Sequence, residues 1–199
     1  VGTGVTAFQF CDSATAIRPW NITTNGGSDA VFDLGTSAIR FKDIYLSGGI
    51  ALGGTDAAHT LDDYEEGTWT PELQDASGNA ATMGNSAANF GLYRKVGKQV
   101  FISFRTEATS ISGLSGTARI FGLPFGGPNQ RGAINFCFFD FYVPVDFTML
   151  VGYIDITTLN NGPYFQCCKQ GYSAGSTGFT VTEFGANKGL GGSGMYITD

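Results

Sequence analysis

The run from Asp33 to Thr55, Asp-Leu-Gly-Thr-Ser-Ala-Ile-Arg-Phe-Lys-Asp-Ile-Tyr-Leu-Ser-Gly-Gly-Ile-Ala-Leu-Gly-Gly-Thr, sets short apolar groups between Gly, Ser and Thr every few residues. Segments this short and this interrupted have no second layer of their own to bury those groups against. A lone pair of short strands hides too little apolar area to offset the entropy of ordering it. Such a segment becomes stable when several chains wind together and each buries its apolar residues against the others. Residues 1–67 therefore read as the stem of a fibre and residues 68–199 as the head it carries. Trp20, Phe32, Phe41, Ile44, Leu46, Ile50 and Leu52 are the expected contacts between chains in the stem.

The same residues carry a resemblance. The stretch from Asp33 to Gly49, then Leu52-Gly-Gly-Thr55, then Leu61-Asp-Asp-Tyr-Glu-Glu-Gly-Thr-Trp-Thr-Pro71, resembles a segment that recurs in tail fibres of tailed bacteriophages and in prophage-encoded fibre proteins. A looser echo follows in Tyr93-Arg-Lys-Val-Gly-Lys-Gln-Val100 and Gly122-Leu-Pro-Phe125, so the likeness covers about half the chain and stops near Gly126. The resemblance implies a homotrimeric fibre, a virion component assembled in the host cytoplasm, that helps the particle attach to a host surface glycan or other receptor. It also implies contact with other tail proteins through an N-terminal part absent here. The chain opens at Val1 in mid-pattern, which reads as a piece of something longer.

Composition sets the fold class. Thirty glycines with only 14% charged residues leave little of the Ala, Leu, Glu, Lys and Arg that build helices. Seventeen phenylalanines and eight tyrosines suit pleated, half-buried surfaces. The expectation is an all-β chain whose head is an antiparallel, jelly-roll-like β-sandwich. A formal net charge of −6 disfavours nucleic acid, which needs a basic stripe. No apolar run is long enough for a membrane span, and no basic-then-apolar leader opens the chain.

Expected strands in the head are 68–73, 90–95, 99–106, 117–122, 133–143, 149–156, 163–169, 178–184 and 194–198. The clearest alternation places Val100, Ile102 and Phe104 on one face, with Ser103 and Arg105 on the other. The stretch from Ile134 to Val143 is apolar on both faces, as in a strand covered by a second sheet or a neighbouring chain. Lys95-Val-Gly-Lys98 reads as a tight hairpin. In the stem, Ser37 to Asp43 fits one helical turn capped by Ser37, and Tyr45 to Leu52 fits two very short strands broken by Gly48-Gly49. Gly189-Leu-Gly-Gly-Ser-Gly194 lacks the Lys and context of a phosphate loop and reads as a flexible loop.

Candidate chemistry is sparse. Asp62, Asp63, Glu65 and Glu66 crowd together, yet calcium-loop spacing is absent, and sequence neighbours cannot face each other across a sugar as glycosidase acids must. They read as a junction pairing Arg40, Lys42 or Arg94. His59, the only histidine, cannot build a metal site alone and suits a surface or trimer contact better than a triad. The spacing of Cys11, Cys137, Cys167 and Cys168 matches neither a zinc site nor a disulfide framework. Buried reduced thiols are expected, Cys167 and Cys168 facing opposite sides of a strand. Trp69, Tyr142 and Tyr153 read as packing residues. No metal or cofactor is expected.

If successive strands reverse direction, the loops at 74–89, 107–116, 144–148 and 170–177 fall at the end of the head far from the stem. The loops at 96–98, 123–132, 157–162 and 185–193 then face it. Asn79, Asn85, Ser112 and Asp146, with Tyr172 as an aromatic platform, are the expected receptor contacts. The reading is a binding and structural protein rather than an enzyme. The alternatives are a tailspike-like enzyme that cleaves surface polysaccharide and a passive fibre segment without receptor binding.

Overall fold

A computed structural model describes residues 6–11, 15–126, 132–141, 147–159, 162–171 and 175–198. It divides into two compact units, Val1–Ser47 and Gly48–Asp199. The described residues are almost entirely β-structure, joined by turns, one 3-10 turn (Ala57–His59) and one helical turn, α1 (Val181–Phe184).

The first unit holds three strands, β1 (Thr6–Cys11), β2 (Ala16–Asn21) and β3 (Gly26–Gly27), in one antiparallel sheet. Asn21 closes the turn after β2: its side-chain oxygen accepts from the Thr23 and Thr24 amides at 2.9 and 3.1 Å. Asn25 takes a left-handed φ of +50° there, a conformation Asn tolerates better than most residues. The expected helical turn at Ser37–Asp43 does not form. Thr36 instead closes a tight loop, its amide donating to the Ile39 carbonyl at 2.7 Å and its hydroxyl accepting from the Ile39 amide at 2.9 Å. That local bonding competes with helix formation, and Gly35 at φ +88° supplies the reversal.

The second unit opens with the small hairpin β4 (Ile50–Ala51) and β5 (Thr60–Leu61); of the two short strands expected within Tyr45–Leu52, the one ahead of Gly48-Gly49 does not form. The strands β6 (Tyr64–Trp69), β7 (Glu72–Gln74), β8 (Thr82–Met83), β9 (Phe90–Val96), β10 (Gln99–Ser110), β11 (Arg119–Phe121), β12 (Ala133–Phe139), β13 (Phe147–Leu159), β14 (Gly162–Gly171), β15 (Gly175–Gly178) and β16 (Lys188–Ile197) then build one antiparallel sheet. Its main order is β6-β9-β10-β16-β12-β13-β14-β11-β7, with β8 added to β10 and β15 to β14. A cut after Gly67 would sever β6.

β6 and β7 form opposite edges of this sheet, yet only Thr70 and Pro71 separate them. The three steps from Trp69 to Glu72 span at most about 11 Å, so the sheet must curl until its edges meet. The two layers expected of a sandwich are thus two stretches of a single rolled sheet. Inside it, Phe104 touches Trp69, Phe136 and Phe165, with ring centroids 5.8, 6.3 and 5.0 Å away. Val100, Ile102, Ile120, Ile134, Phe179, Phe184 and Leu190 complete the buried core. The alternation expected for β10 is present and extends to Ala108, two residues beyond the expected strand end.

Two expectations change here. Gly189–Gly194 is a central strand, paired with β10 on one side and β12 on the other. Its glycines make that pairing possible: a Cβ on Gly192 would stand 2.4 Å from the Asn135 carbonyl oxygen, and one on Gly194 2.2 Å from Ile134. The expected strand at 178–184 is instead the end of β15 and then α1. Thr180 caps α1 and Glu183 reaches back to the Thr180 amide at 2.9 Å, a reciprocal capping box.

Candidate functional site

In the second unit, β6 starts beside the β9–β10 hairpin, where the Gly97 amide donates to the Asp63 carbonyl at 2.7 Å. Gly97, at φ +56°, makes the expected tight turn at 95–98. The acidic run is spent along this edge. Asp63 pairs with the largely buried Lys95, Glu65 accepts from the Tyr93 hydroxyl, and Glu66 meets Arg94 at 3.5 Å and the Tyr64 hydroxyl at 2.9 Å. These bonds lace β6 to β9. Lys42 pairs with its neighbour Asp43 at 3.6 Å. His59 contacts Asp56 at 2.5 Å, and Asp56 caps the short turn that ends at His59. Among the described residues no three His, Cys, Asp or Glu side chains gather as a metal-binding group.

At the other end of the roll lie the turns that follow β7, β10 and α1. Asp75 organises them. Its residue is almost fully buried, and its carboxylate accepts from the Ser77 and Asn79 amides at 2.8 and 2.9 Å, the Asn79 side chain at 2.9 Å and the Ser115 amide at 3.3 Å. Burial alone pushes this carboxyl up. The bonds from Asn79, Ser115 and Ser77 outweigh that and hold it below its ordinary value. Arg119 ties the same loop down by donating to the Ala76 carbonyl at 2.8 Å while its guanidinium lies 4.8 Å from the Tyr164 ring centroid. The Val181 amide donates to the Gly116 carbonyl at 3.0 Å, joining α1 to the turn before β11.

The exposed surface of this end is small and polar: Ser77, Asn79, Asn85, Ser86, Thr109, Ser112, Ser115 and Gly116. It offers hydroxyls, amides and open backbone, with no pair of opposed carboxylates among them. Of the expected receptor residues, Asn79, Asn85 and Ser112 come to this end. Asp146 and Tyr172 lie outside the described residues. The Asn79 side chain is engaged with Asp75, and the Asn85 oxygen accepts from the Ala87 and Ala88 amides at 3.1 and 3.2 Å, so both also shape their own loops. Of the turns expected at the opposite end, 185–187 in fact lies here, because the Asn187 amide donates to the Ala108 carbonyl at 2.7 Å. The helical turn where a strand was expected shifted the alternation by one.

The stem residues are all exposed or half-buried. Phe41, Ile44, Leu46, Ile50 and Leu52 are between 47% and 59% exposed, and Trp20 and Phe32 are half-buried. Trp69 is the first buried residue of the described chain. Tyr153 is half-buried on β13, and Tyr142 lies outside the described residues. Cys137, Cys167 and Cys168 are free thiols, the last two buried, and only Cys167 enters the main core. Sequence reading missed Asp75, Arg119 and Lys95. The signal for Thr180 and Glu183 was present as the Thr-x-x-Glu pattern of a capping box.

No protein-family model and no curated protein matches the chain. Among solved structures, the fold is similar to the Dettilon tailspike protein at 16% identity and a TM-score of 0.49, over 67% of this chain and 23% of that one. The chain therefore spans about a quarter of the length of that protein.

Proposed function

We propose that this chain is a stem-and-head portion of a bacteriophage tail fibre. In this reading three copies wind together through residues 1–67, and the loop end of the head around Asp75, Asn85 and Ser112 meets a glycan or other receptor on the host surface. The observation that carries the reading is the exposure of the first third of the chain. From Ala7 to Phe10 and from Thr15 to Thr68 no residue is buried, although Phe8, Phe10, Ile17, Val31, Ile39, Phe41, Ile44 and Leu46 are all large and apolar. A chain holding so much apolar surface in water gains by burying it against copies of itself. The likeness of Asp33–Pro71 to tail-fibre segments supplies the phage assignment. The small hydroxyl and amide groups at the loop end suit adaptable hydrogen bonding to a sugar, and the role is binding rather than hydrolysis.

The test combines light scattering on the full chain with adsorption of the labelled protein to a panel of bacterial cells. Three copies per particle and saturable adsorption to some strains support the reading. A single-chain particle, or adsorption to none of the strains in the panel, overturns it. Release of oligosaccharide from purified surface polysaccharide would overturn the non-enzymatic part alone.

A further inference from the structure

Where β10, β16 and β12 run side by side, the outer face of the rolled sheet holds a hollow of about 680 Å³. Alternation sends Val100, Ile102 and Phe104 into the core and turns Phe101 and Ser103 outward. Strand pairing then sets Phe101, Met195 and Ala133 in one outward row, and Ser103, Ser193 and Asn135 in the next. The hollow is lined by Ala133 and Ser193, small enough to leave space, by the larger Phe101, Met195 and Ile197, and by the Asn135 amide. An apolar patch thus borders a row of hydroxyl, hydroxyl and amide.

We infer that this hollow is a saccharide site that takes a neutral hexose unit. A pyranose ring offers an apolar face of C–H groups and a rim of hydroxyls that donate and accept. The Phe101 ring, 45% exposed with Met195 beside it, meets the first, and the polar row meets the second. Strands about 4.8 Å apart let neighbouring groups of that row reach different hydroxyls of one ring. These groups are also free. Among the described residues the side chains of Ser103, Ser193 and Asn135 bond no other protein group, whereas those of Asn79 and Asn85 at the loop end are spent on their own turns. Charge selects the ligand further. No charged side chain lines the hollow, and the outward Arg105, next along β10, is engaged 4.0 Å from Glu107 and 5.2 Å from the Phe138 ring centroid. A neutral sugar therefore fits better than an acidic one. The volume lies within the roughly 300–1,000 Å³ of small-ligand sites. This site lies apart from the loop end and stands or falls separately from it, however many copies assemble.

Saturation-transfer NMR on the full chain tests it, with glucose, galactose, mannose, N-acetylglucosamine and lactose as probes and glucuronic acid as the charged counterpart. At least one neutral sugar should bind saturably and more tightly than glucuronic acid. Phe101→Ala and, separately, Asn135→Ala should each weaken that binding about tenfold, through loss of the ring contact or of the amide's hydrogen bonds. Both positions are exposed, and circular dichroism should show the fold unchanged. Asn85→Ala at the loop end should leave the binding as it is. Oxidation by dilute peroxide then locates the sugar: at saturation Met195 should react several-fold more slowly, since a covered thioether is shielded, while Met149 on β13 keeps its rate. Binding of no sugar in the panel overturns the inference, as does binding that either hollow variant retains in full. Glucuronic acid bound as tightly as the neutral sugars, or a Met195 that bound sugar leaves unprotected, overturns it too. Binding lost in Asn85→Ala instead would move the sugar to the loop end and equally remove this site.

Discussion

The Trp69 indole occupies the space that any side chain at position 91 would need: a Cβ on Gly91 would lie 2.1 Å from the indole nitrogen. The two residues face each other across β6 and β9, and the Phe104 ring lies 5.8 Å from the Trp69 ring in the core. Trp69 is therefore the peg that fixes the edge strand β6 on its neighbour just before the chain crosses to β7. Gly91→Ala should destabilise the head by about 1–3 kcal/mol through overpacking. Trp69→Ala should cost about 3–5 kcal/mol, and urea unfolding followed at β-sheet wavelengths measures both.

The glycines of β16 are not equivalent. A Cβ on Gly192 would stand 2.4 Å from backbone, the Asn135 carbonyl oxygen, while one on Gly189 would come no nearer than 3.2 Å, to the Phe138 ring. Gly192→Ala should lower the urea midpoint more than Gly191→Ala, whose nearest atom is the Phe104 carbonyl oxygen at 3.2 Å. The reverse order would mean that the β12–β16 spacing adjusts freely.

These glycines also explain what the sequence concealed. Period-2 alternation marked β10 because its inward positions carry Val100, Ile102 and Phe104. In β16 the inward positions alternate Leu190, Gly192, Gly194 and Tyr196, so the apolar signal vanishes where the neighbouring Phe104, Phe136 and Ile134 fill the space instead. The closure of the roll was hidden for a different reason: β6 and β7 read as one strand, and only long-range pairing with β9 and β11 separates them. At the loop end, Asn79 and Asn85 were visible as polar loop residues. Asp75 was not, because its role depends on Ser115, far along the chain, and only the fold brings the two together.

Asp75 and Glu183 give the head an acid limit. Burial raises the Glu183 carboxyl, and Lys169 and Thr180 more than offset this, so both acids sit below their ordinary values of 3.8 and 4.5 when folded. The unfolded chain then binds protons first as pH falls. The stability these acids contribute is complete above their ordinary values and drains away as pH drops through them toward the folded values. Urea midpoints between about pH 6 and about pH 3 should fall, and more shallowly in Asp75→Asn. That variant should also lose roughly 1–3 kcal/mol near neutrality, because bonds to a buried carboxylate are left poorly matched. A parallel fall in wild type and variant would remove Asp75 from this role.

The thiols should divide by burial. Burial pushes the Cys167 thiol far above its usual range, with the neighbouring Cys168 adding to the shift, and Cys168 is raised as well. A thiol held protonated and covered reacts slowly. A disulfide-exchange reagent should label exposed Cys137 quickly in the native protein and reach Cys167 and Cys168 only as the head unfolds. Reducing agent should leave the melting temperature of the described head unchanged.

The stem and the head should fail separately. Head stability comes from the core around Phe104, whereas the apolar groups of residues 16–52 have no such core among the described residues. Ile44 and Leu46 are each more than half exposed, so a charge at either position costs a single chain almost nothing. In a wound stem the same charge would be buried without a partner, at a cost of several kcal/mol per copy. Ile44→Asp and Leu46→Asp should therefore reduce the particle mass seen by light scattering while the urea transition of the head stays in place. Leu61→Asp, at the margin of the β4–β5 hairpin, should do less. If the mass is unchanged in both stem variants, residues 1–67 do not hold the copies together, and assembly must run through the head.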